Sequence, residues 1–125
     1  MTAAGKAEYP LPMFVNTWLA NWQETAQLKP GTYPSGGPMP HVLDIWRAGA
    51  PKLDILSPDI YSFFQERCPE YHRSWNPLFI PEMSRDMRTA SDIFYALGQY
   101  EAIGQYGINI LNVGRTGIMQ LPAEH

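Results

Sequence analysis

Short apolar runs alternate with helical segments along this chain. Hydrophobic and β-branched residues cluster in four runs that predict strands, at residues 12–20, 53–57, 77–80 and 102–111. Three segments between these runs are predicted to be helical, at residues 40–50, 62–70 and 86–98. The strands show little polar alternation, which is typical of strands covered on both faces. The order predicts an α/β fold in which parallel strands are joined by helical crossovers.

One long loop interrupts this alternation. Between the first strand and the first helix, residues 24–40 are predicted to form a loop. Seven of the eleven residues from 30 to 40 are proline or glycine. Regular structure is not expected at that density, because proline removes donors and glycine favours turns. The loop has none of the patterns of a phosphate-binding loop, and Ser35 lacks the setting of a nucleophile elbow.

Composition excludes several classes of protein. With 125 residues the chain is one domain, and with a net charge of −3 it has no basic surface for nucleic acid. Its one cysteine excludes a disulfide scaffold, and one cysteine with three scattered histidines argues against a structural zinc site. No apolar run has the roughly 18 residues that a membrane span needs. We therefore expect no metal, no nucleic-acid partner and no membrane partner.

Polar residues follow the predicted strands in pairs. These residues are Asn16 and Thr17, Asp59 and Tyr61, and Glu82 and Arg85. In α/β folds the carboxyl ends of parallel strands form the edge at which ligands bind and reactions occur. The sequence therefore predicts a functional site at this edge.

Glu82 is the strongest candidate for chemistry. It follows an apolar strand and is preceded by Pro81, which restricts the backbone. A carboxylate at the mouth of a parallel sheet suits a nucleophile or a general base. The alternative is a solvated loop acid or an acid near the start of the next helix.

Asp59 and Tyr61 form a second candidate group. A tyrosine hydroxyl beside a carboxylate can hold it by a hydrogen bond and keep it ionised. The alternative is that Tyr61 is a half-buried aromatic residue and that Asp59 is a turn residue after Pro58.

Asn16, Trp18 and Trp22 place an amide and two indoles near the end of the first strand. Indole faces stack on the C–H face of a sugar ring, and amides bind hydroxyl groups. Core packing is the alternative for each tryptophan. We predict Asn16, Trp18 and Asp59 as substrate-binding residues.

Two further groups carry weaker predictions. Cys68 and His72 have the spacing of a Cys/His pair, but Pro69 is expected to break any helix there, which argues against a catalytic dyad. Arg85, Asp86 and Arg88 are expected to cap the following helix or to pair on the surface.

Several long motifs resemble a known enzyme family. The segments Gly31–Arg47, Ala50–Tyr61 and Asn76–Glu82 resemble, in this order, bacterial β-galactosidases of glycoside hydrolase family 35. The resemblance covers roughly residues 4 to 108, and residues 109–125 form a divergent tail.

This resemblance implies a partial (β/α)8 TIM barrel, as strands 5 to 8 with their helices in one partial domain over residues 1–125. It implies that residues 4–9 are the tail of the preceding helix and its loop. It implies that Glu82 is the nucleophile of a retaining β-galactosidase and that Tyr61 supports it. Cofactors are not part of this chemistry, and the substrate is a β-galactoside or an oligosaccharide.

The chain also departs from the family pattern. The acid/base of the family is a Glu that follows an Asn on strand 4, and nothing here matches it; Glu24 comes after strand 5 and follows no Asn. We therefore expect the chain alone to hydrolyse β-galactosides poorly. Four parallel strands would expose two edges, which favours pairing with a missing N-terminal half-barrel or self-association. The alternatives are a non-catalytic carbohydrate-binding remnant and an independent small α/β domain.

Overall fold

The computed structural model describes residues 2–19, 29, 31, 36–84 and 87–107, and for residues 87–89, 106 and 107 it describes the backbone alone. The strands and helices, in chain order, are α1 (Thr2–Glu8), β1 (Phe14–Trp18), a 3₁₀ turn (Pro40–Val42), α2 (Leu43–Gly49), β2 (Ile55–Ile60), α3 (Phe64–Tyr71), β3 (Phe79–Met83), α4 (Met87–Tyr100) and β4 (Gly104–Gly107).

The four strands form one parallel sheet. Their spatial order is β1-β2-β3-β4, which is also their order along the chain. Each neighbouring pair is parallel. The predicted α/β class with parallel strands is therefore confirmed, and each predicted strand has an observed counterpart.

Two strands extend further than predicted. β2 continues through Pro58 to Ile60, and β3 continues through Pro81 to Met83. The pairing of β2 with β3 begins only at Asp59, and the pairing of β3 with β4 shifts register around Pro81. Proline is tolerated where a strand lacks regular pairing or carries a bulge. As a result the candidate carboxylates lie within the strands, not beyond their ends.

Helix α3 also differs from the prediction, because it passes through Pro69 and ends at Tyr71. The helix is short, and the proline removes only one internal hydrogen bond, whose acceptor would be the carbonyl of the exposed Gln65. Phe64, Cys68 and Tyr71 are buried at helical spacing. Their burial stabilises the helix despite the proline.

One hydrophobic core joins the helices to the sheet. Buried side chains of α2, α3 and α4 belong to the same cluster as residues of the strands; its sheet members include Leu56, Ile60, Ile80 and Met83. The opposite face, here called the open face, carries Phe14 and Trp18, which are 48% and 42% exposed. The two faces of the sheet are therefore different in kind, one covered by helices and one partly accessible.

Polar contacts fix the connections to the sheet. Asp54 accepts hydrogen bonds from Lys6 Nζ at 2.6 Å and from the backbone N–H of Met13 at 2.7 Å, which joins α1 to the starts of β1 and β2. The buried Tyr71 hydroxyl donates to the Pro38 carbonyl at 2.7 Å. This bond ties the end of the proline- and glycine-rich loop to α3.

Glycine is required at one close approach in that loop. A Cβ atom at Gly37 would lie 2.5 Å from the side chain of Thr17, a buried residue of β1. Residues 32–35 of the loop, including Ser35, lie outside the described residues. Among the helices that the structure describes, none is both long and apolar enough to cross a membrane.

Candidate functional site

Three predicted site residues occupy one row across the sheet. Trp18 on β1 is the register partner of Asp59 on β2, and Asp59 is in turn the partner of Glu82 on β3. Neighbouring strands are about 5 Å apart, so the row places an indole and two carboxyl groups side by side. The row lies at or near the carboxyl ends of three adjacent parallel strands.

A bulge in β3 directs Glu82 to the open face. Ile80 pairs with Gln105 and Met83 pairs with Gly107, so two residues of β3, Pro81 and Glu82, oppose one residue of β4. The Phe79 ring contacts Phe14 on the open face, with ring centroids 4.9 Å apart. Without the bulge, strand alternation would direct Phe79 and Glu82 to opposite faces. The bulge thus lets both side chains share the open face.

Asn16 precedes Trp18 by two residues on β1 and contacts Asp59 directly. Its amide nitrogen Nδ2 donates to Asp59 Oδ1 at 2.8 Å and to Oδ2 at 2.9 Å. The amide nitrogen of Asn16 is therefore occupied by the carboxylate. The sequence analysis named both residues as substrate-binding candidates but did not predict this contact, through which Asn16 positions Asp59.

Burial and charge perturb both carboxyl groups. Asp59 is 5% exposed, and this desolvation raises its pKa, while the hydrogen bonds from Asn16 act in the opposite direction. Desolvation also raises the pKa of Glu82, and the neighbouring Asp59 charge raises it further. Two carboxyl groups with raised pKa at the same edge are typical of a site that handles protons.

Tyr61 lies just beyond β2 and lines a different space. Its carbonyl accepts a hydrogen bond from Ser84 Oγ at 3.1 Å. Its side chain borders a cleft of about 560 Å³ between the β2–α3 connection and α4, whose lining includes Phe63, Ser84 and Asp92. Among the described residues no hydrogen bond joins the Tyr61 hydroxyl to Glu82. Support of Glu82 by Tyr61 therefore stays a prediction.

Sequence reasoning missed two buried polar residues near the row. Ser57 is 0% exposed, lies opposite Asn16 in the register, and its hydroxyl has no hydrogen-bond partner. Asn76 is 1% exposed and its side chain makes three hydrogen bonds, two with Leu56 and one with Tyr71. Each is a polar residue between hydrophobic neighbours or prolines in the sequence, which is the signal that could have identified them.

The structure excludes a Cys68/His72 dyad. The Cys68 side chain is fully buried, and this burial with the charge of Asp92 raises the pKa of its thiol to about 12. His72 is exposed and meets the Tyr100 ring edge-on, with centroids 5.6 Å apart. A thiol in this environment stays protonated and is a poor nucleophile.

Other predicted residues lie outside the described part of the chain. These are Trp22, Glu24, Arg85 and Asp86, together with the side chain of Arg88. Within the described residues no group of three or more His, Cys, Asp or Glu side chains could hold a metal ion.

The site is thus a carboxyl pair beside an exposed indole. No protein-family model matches this sequence, and no curated protein matches it. Function is therefore inferred from the geometry of the site and from the motifs of the sequence.

Proposed function

We propose that this chain is part of a retaining β-galactosidase, with Glu82 as its nucleophile and its sheet as strands 5 to 8 of a (β/α)8 barrel. The observation that carries the proposal is the row of Trp18, Asp59 and Glu82 at the carboxyl ends of three parallel strands. Carboxylates beside an aromatic platform suit a sugar ring, which has both hydroxyl groups and an apolar C–H face.

The topology supports the barrel part of this proposal. Strands in a (β/α)8 barrel follow one another in chain order, whereas a doubly wound sheet reverses its order. Here the order is β1-β2-β3-β4, and helices α2, α3 and α4 share one core on one side of the sheet. Phe14 and Phe79, on the strands either side of β2, meet across it, as side chains filling a barrel interior would.

The proposed reaction is a double displacement. The Glu82 carboxylate attacks the anomeric carbon, the bond to the leaving oxygen breaks, and a glycosyl ester forms on Glu82. Water then cleaves this ester and regenerates the carboxylate. A second carboxyl group must protonate the leaving oxygen in the first step and deprotonate water in the second.

The other site residues would bind the sugar around this reaction. Trp18 is 42% exposed and lies next to Asp59 in the row, where its indole face is available for stacking. The carboxylate of Asp59 accepts from Asn16 and keeps lone pairs for a sugar hydroxyl. Asn16 therefore contributes to binding through the position that it gives to Asp59.

The partner that completes the site is part of the proposal. Within the described residues β1 and β4 each pair with a strand on one side only, so the sheet has two free edges. Another set of parallel strands, from an N-terminal half-barrel or a second copy, would satisfy these edges and cover Phe14 and Trp18. It would also bring the acid/base that the motifs of this chain lack.

The test uses a substrate that does not need the acid. A 2-deoxy-2-fluoro-β-galactosyl fluoride carries a leaving group that departs unprotonated, and its second fluorine slows breakdown of the ester. We expect the chain to gain one fluorogalactosyl group, and fragmentation in the mass spectrometer to place it on Glu82. Glu82→Gln should remain unlabelled, and Glu66→Gln, which changes an exposed acid on α3, should label normally. Absence of labelling at all concentrations, or a label on another residue, would refute the nucleophile.

Carbohydrate binding without turnover is the second candidate, and the exposure of Trp18 favours it. Galactose should then shift the Trp18 indole resonance in an NMR titration, and Trp18→Ala should abolish binding. Binding without a covalent adduct would support this second function over the first.

A further inference from the structure

We propose that Asp59 and Glu82 share a single proton over part of the acidic pH range, and that Asn16 assigns the negative charge to Asp59 and the proton to Glu82. This proposal deepens the function proposed above, and its consequence for the reaction rests on that function. The sharing itself rests only on the arrangement of the three side chains.

Strand pairing places the two carboxyl side chains next to each other. Asp59 and Glu82 are register partners on adjacent strands and lie on the same face. Neighbouring strands are about 5 Å apart, so register partners on one face carry their side chains next to each other. Two negative charges on adjacent side chains repel in a partly desolvated setting, so the second carboxyl group ionises at a higher pH than the first.

The hydrogen bonds from Asn16 favour ionisation of Asp59 first, while the desolvation of Asp59 raises its pKa and acts against this order. Asn16 Nδ2 donates to both oxygens of Asp59, at 2.8 and 2.9 Å. Protonation of either oxygen would weaken one of these bonds, so the amide stabilises the charged form. None of the described residues donates a hydrogen bond to Glu82. The charge of Asp59 in turn raises the pKa of Glu82.

Other titratable groups around the pair would come from the neighbouring strands and helices. β1 contributes none, and the ionisable residue in the sequence of β4 is Tyr106. Helices α3 and α4 pack on the opposite face of the sheet; their ionisable side chains described here are Glu66, Arg67, Cys68, Glu70, Tyr71, Asp92, Tyr95 and Tyr100. Of all described groups, Asp59 is the one whose charge acts on the pKa of Glu82. Of the strand residues that the structure describes with their side chains, Asp59 and Glu82 are therefore the ones that place charge on the open face.

The consequence concerns the range of pH in which the site can react. Glu82 attacks the anomeric carbon only as a carboxylate, so the protonated form is inactive. The acid limb of the pH–rate profile, measured with an activated galactoside, would then report the ionisation of Glu82. Asp59 and Asn16 act on this limb as positioning residues, without touching the reacting carbon.

The experiment is a carbon-13 NMR titration of the side-chain carboxyl groups in the full chain. In the wild type we expect the Glu82 signal to titrate above the Asp59 signal, and each signal to move slightly during the other's transition. In Asp59→Asn, which is isosteric, the pKa of Glu82 should fall by about 0.5 to 2 units. In Asn16→Ala the pKa of Asp59 should rise and that of Glu82 should fall. Asn16→Gln keeps an amide donor and should restore part of the wild-type order.

A matched control and a fallback keep the test decisive. Asp44→Asn also removes one negative charge, but from an exposed position on α2, and it should leave the Glu82 titration unchanged. An unchanged pKa of Glu82 in Asp59→Asn would overturn the proposal. If a variant fails to fold, the wild-type titration alone decides, because two independent single-step curves would contradict a shared proton.

The labelling rate of the fluorogalactosyl fluoride gives the second readout. If labelling occurs, the acid limb of its rate plotted against pH should move to lower pH in Asp59→Asn, by the same amount as the NMR titration curve of Glu82. If the NMR shift is present and labelling is absent, the shared proton stands and the glycosidase assignment fails. If labelling occurs and its acid limb is unchanged in Asp59→Asn, the shared proton fails and the assignment stands.

Discussion

Asn76 anchors the strand that carries Asp59, and its removal gives a sharp test of the structure. The side chain accepts a hydrogen bond from Leu56 N–H at 2.8 Å. It also donates to the carbonyls of Leu56 at 3.0 Å and of Tyr71 at 2.8 Å. Asn76 therefore takes the place of a neighbouring strand at the start of β2, where regular pairing with β3 has not yet begun.

The expected loss of stability follows from these three bonds. In Asn76→Ala three buried backbone groups lose their partner, and each unsatisfied group costs about 1 to 3 kcal/mol. Water that enters the space left by the amide would recover part of this loss. We therefore expect the free energy of unfolding to fall by about 3 kcal/mol, a large part of the stability of a small domain.

The assay is urea unfolding followed by circular dichroism and by tryptophan fluorescence. Gln99→Ala, on the exposed surface of α4, is the control and should change the free energy of unfolding by less than about 0.5 kcal/mol. A loss below about 1 kcal/mol for Asn76→Ala, with an unchanged denaturant slope, would refute the role given to these bonds.

Asn76→Asp separates the accepted bond from the donated ones. The variant keeps the acceptor for Leu56 N–H but loses both donated bonds and buries a carboxyl group. Burial raises the pKa of such a group in the folded state. The destabilisation should therefore grow as pH rises through the pKa of this carboxyl group in the folded state. It should be smallest below the pKa that the group has in the unfolded chain. A pH-independent loss would contradict this reasoning.

Three further predictions concern packing and charge. Gly104→Ala should destabilise the fold by about 1 kcal/mol, because a Cβ would lie 3.2 Å from the Phe79 ring. Gly98→Ala, in open space on α4, should instead stabilise the fold by about 0.5 kcal/mol in the same unfolding assay. The Cys68 thiol, whose pKa is raised to about 12, should resist thiol reagents until the chain is denatured. The pKa of Asp54 is lowered by its lysine partner. The contribution of Asp54 to stability should therefore be present above the pKa that it has in the unfolded chain, and it should be lost as pH falls through the pKa in the folded chain. An Asp54→Asn variant should flatten that part of a curve of stability against pH.

Some of the differences between prediction and structure have a common cause. The sequence predicts strands over residues 53–57 and 77–80, which end before Pro58 and Pro81 and therefore before Asp59 and Glu82. In the sheet Pro58 precedes the start of the β2–β3 pairing, and Pro81 lies at a bulge. A proline ends a strand only where its missing donor would have been paired, and that depends on the neighbouring strand.

The burial of single polar residues was equally inaccessible to local patterns. Asn76 reads as a loop residue before a strand, yet it is 1% exposed because Leu56 and Tyr71 present their backbone groups to it. Pro69 reads as a helix breaker, yet the burial of Cys68 and Tyr71 keeps α3 intact. In both cases tertiary contacts outweighed the local preference.

By itself the sequence determined the α/β class, the order of the elements and the candidate residues Asn16, Trp18, Asp59 and Glu82. It could do so because apolar runs, helical spacing and polar strand ends are local properties of the chain. Only the tertiary structure decided that Trp18, Asp59 and Glu82 share one row, and that Asn16 donates to Asp59. Strand register and the β3 bulge set those neighbours, and both arise from pairing between segments far apart in the chain.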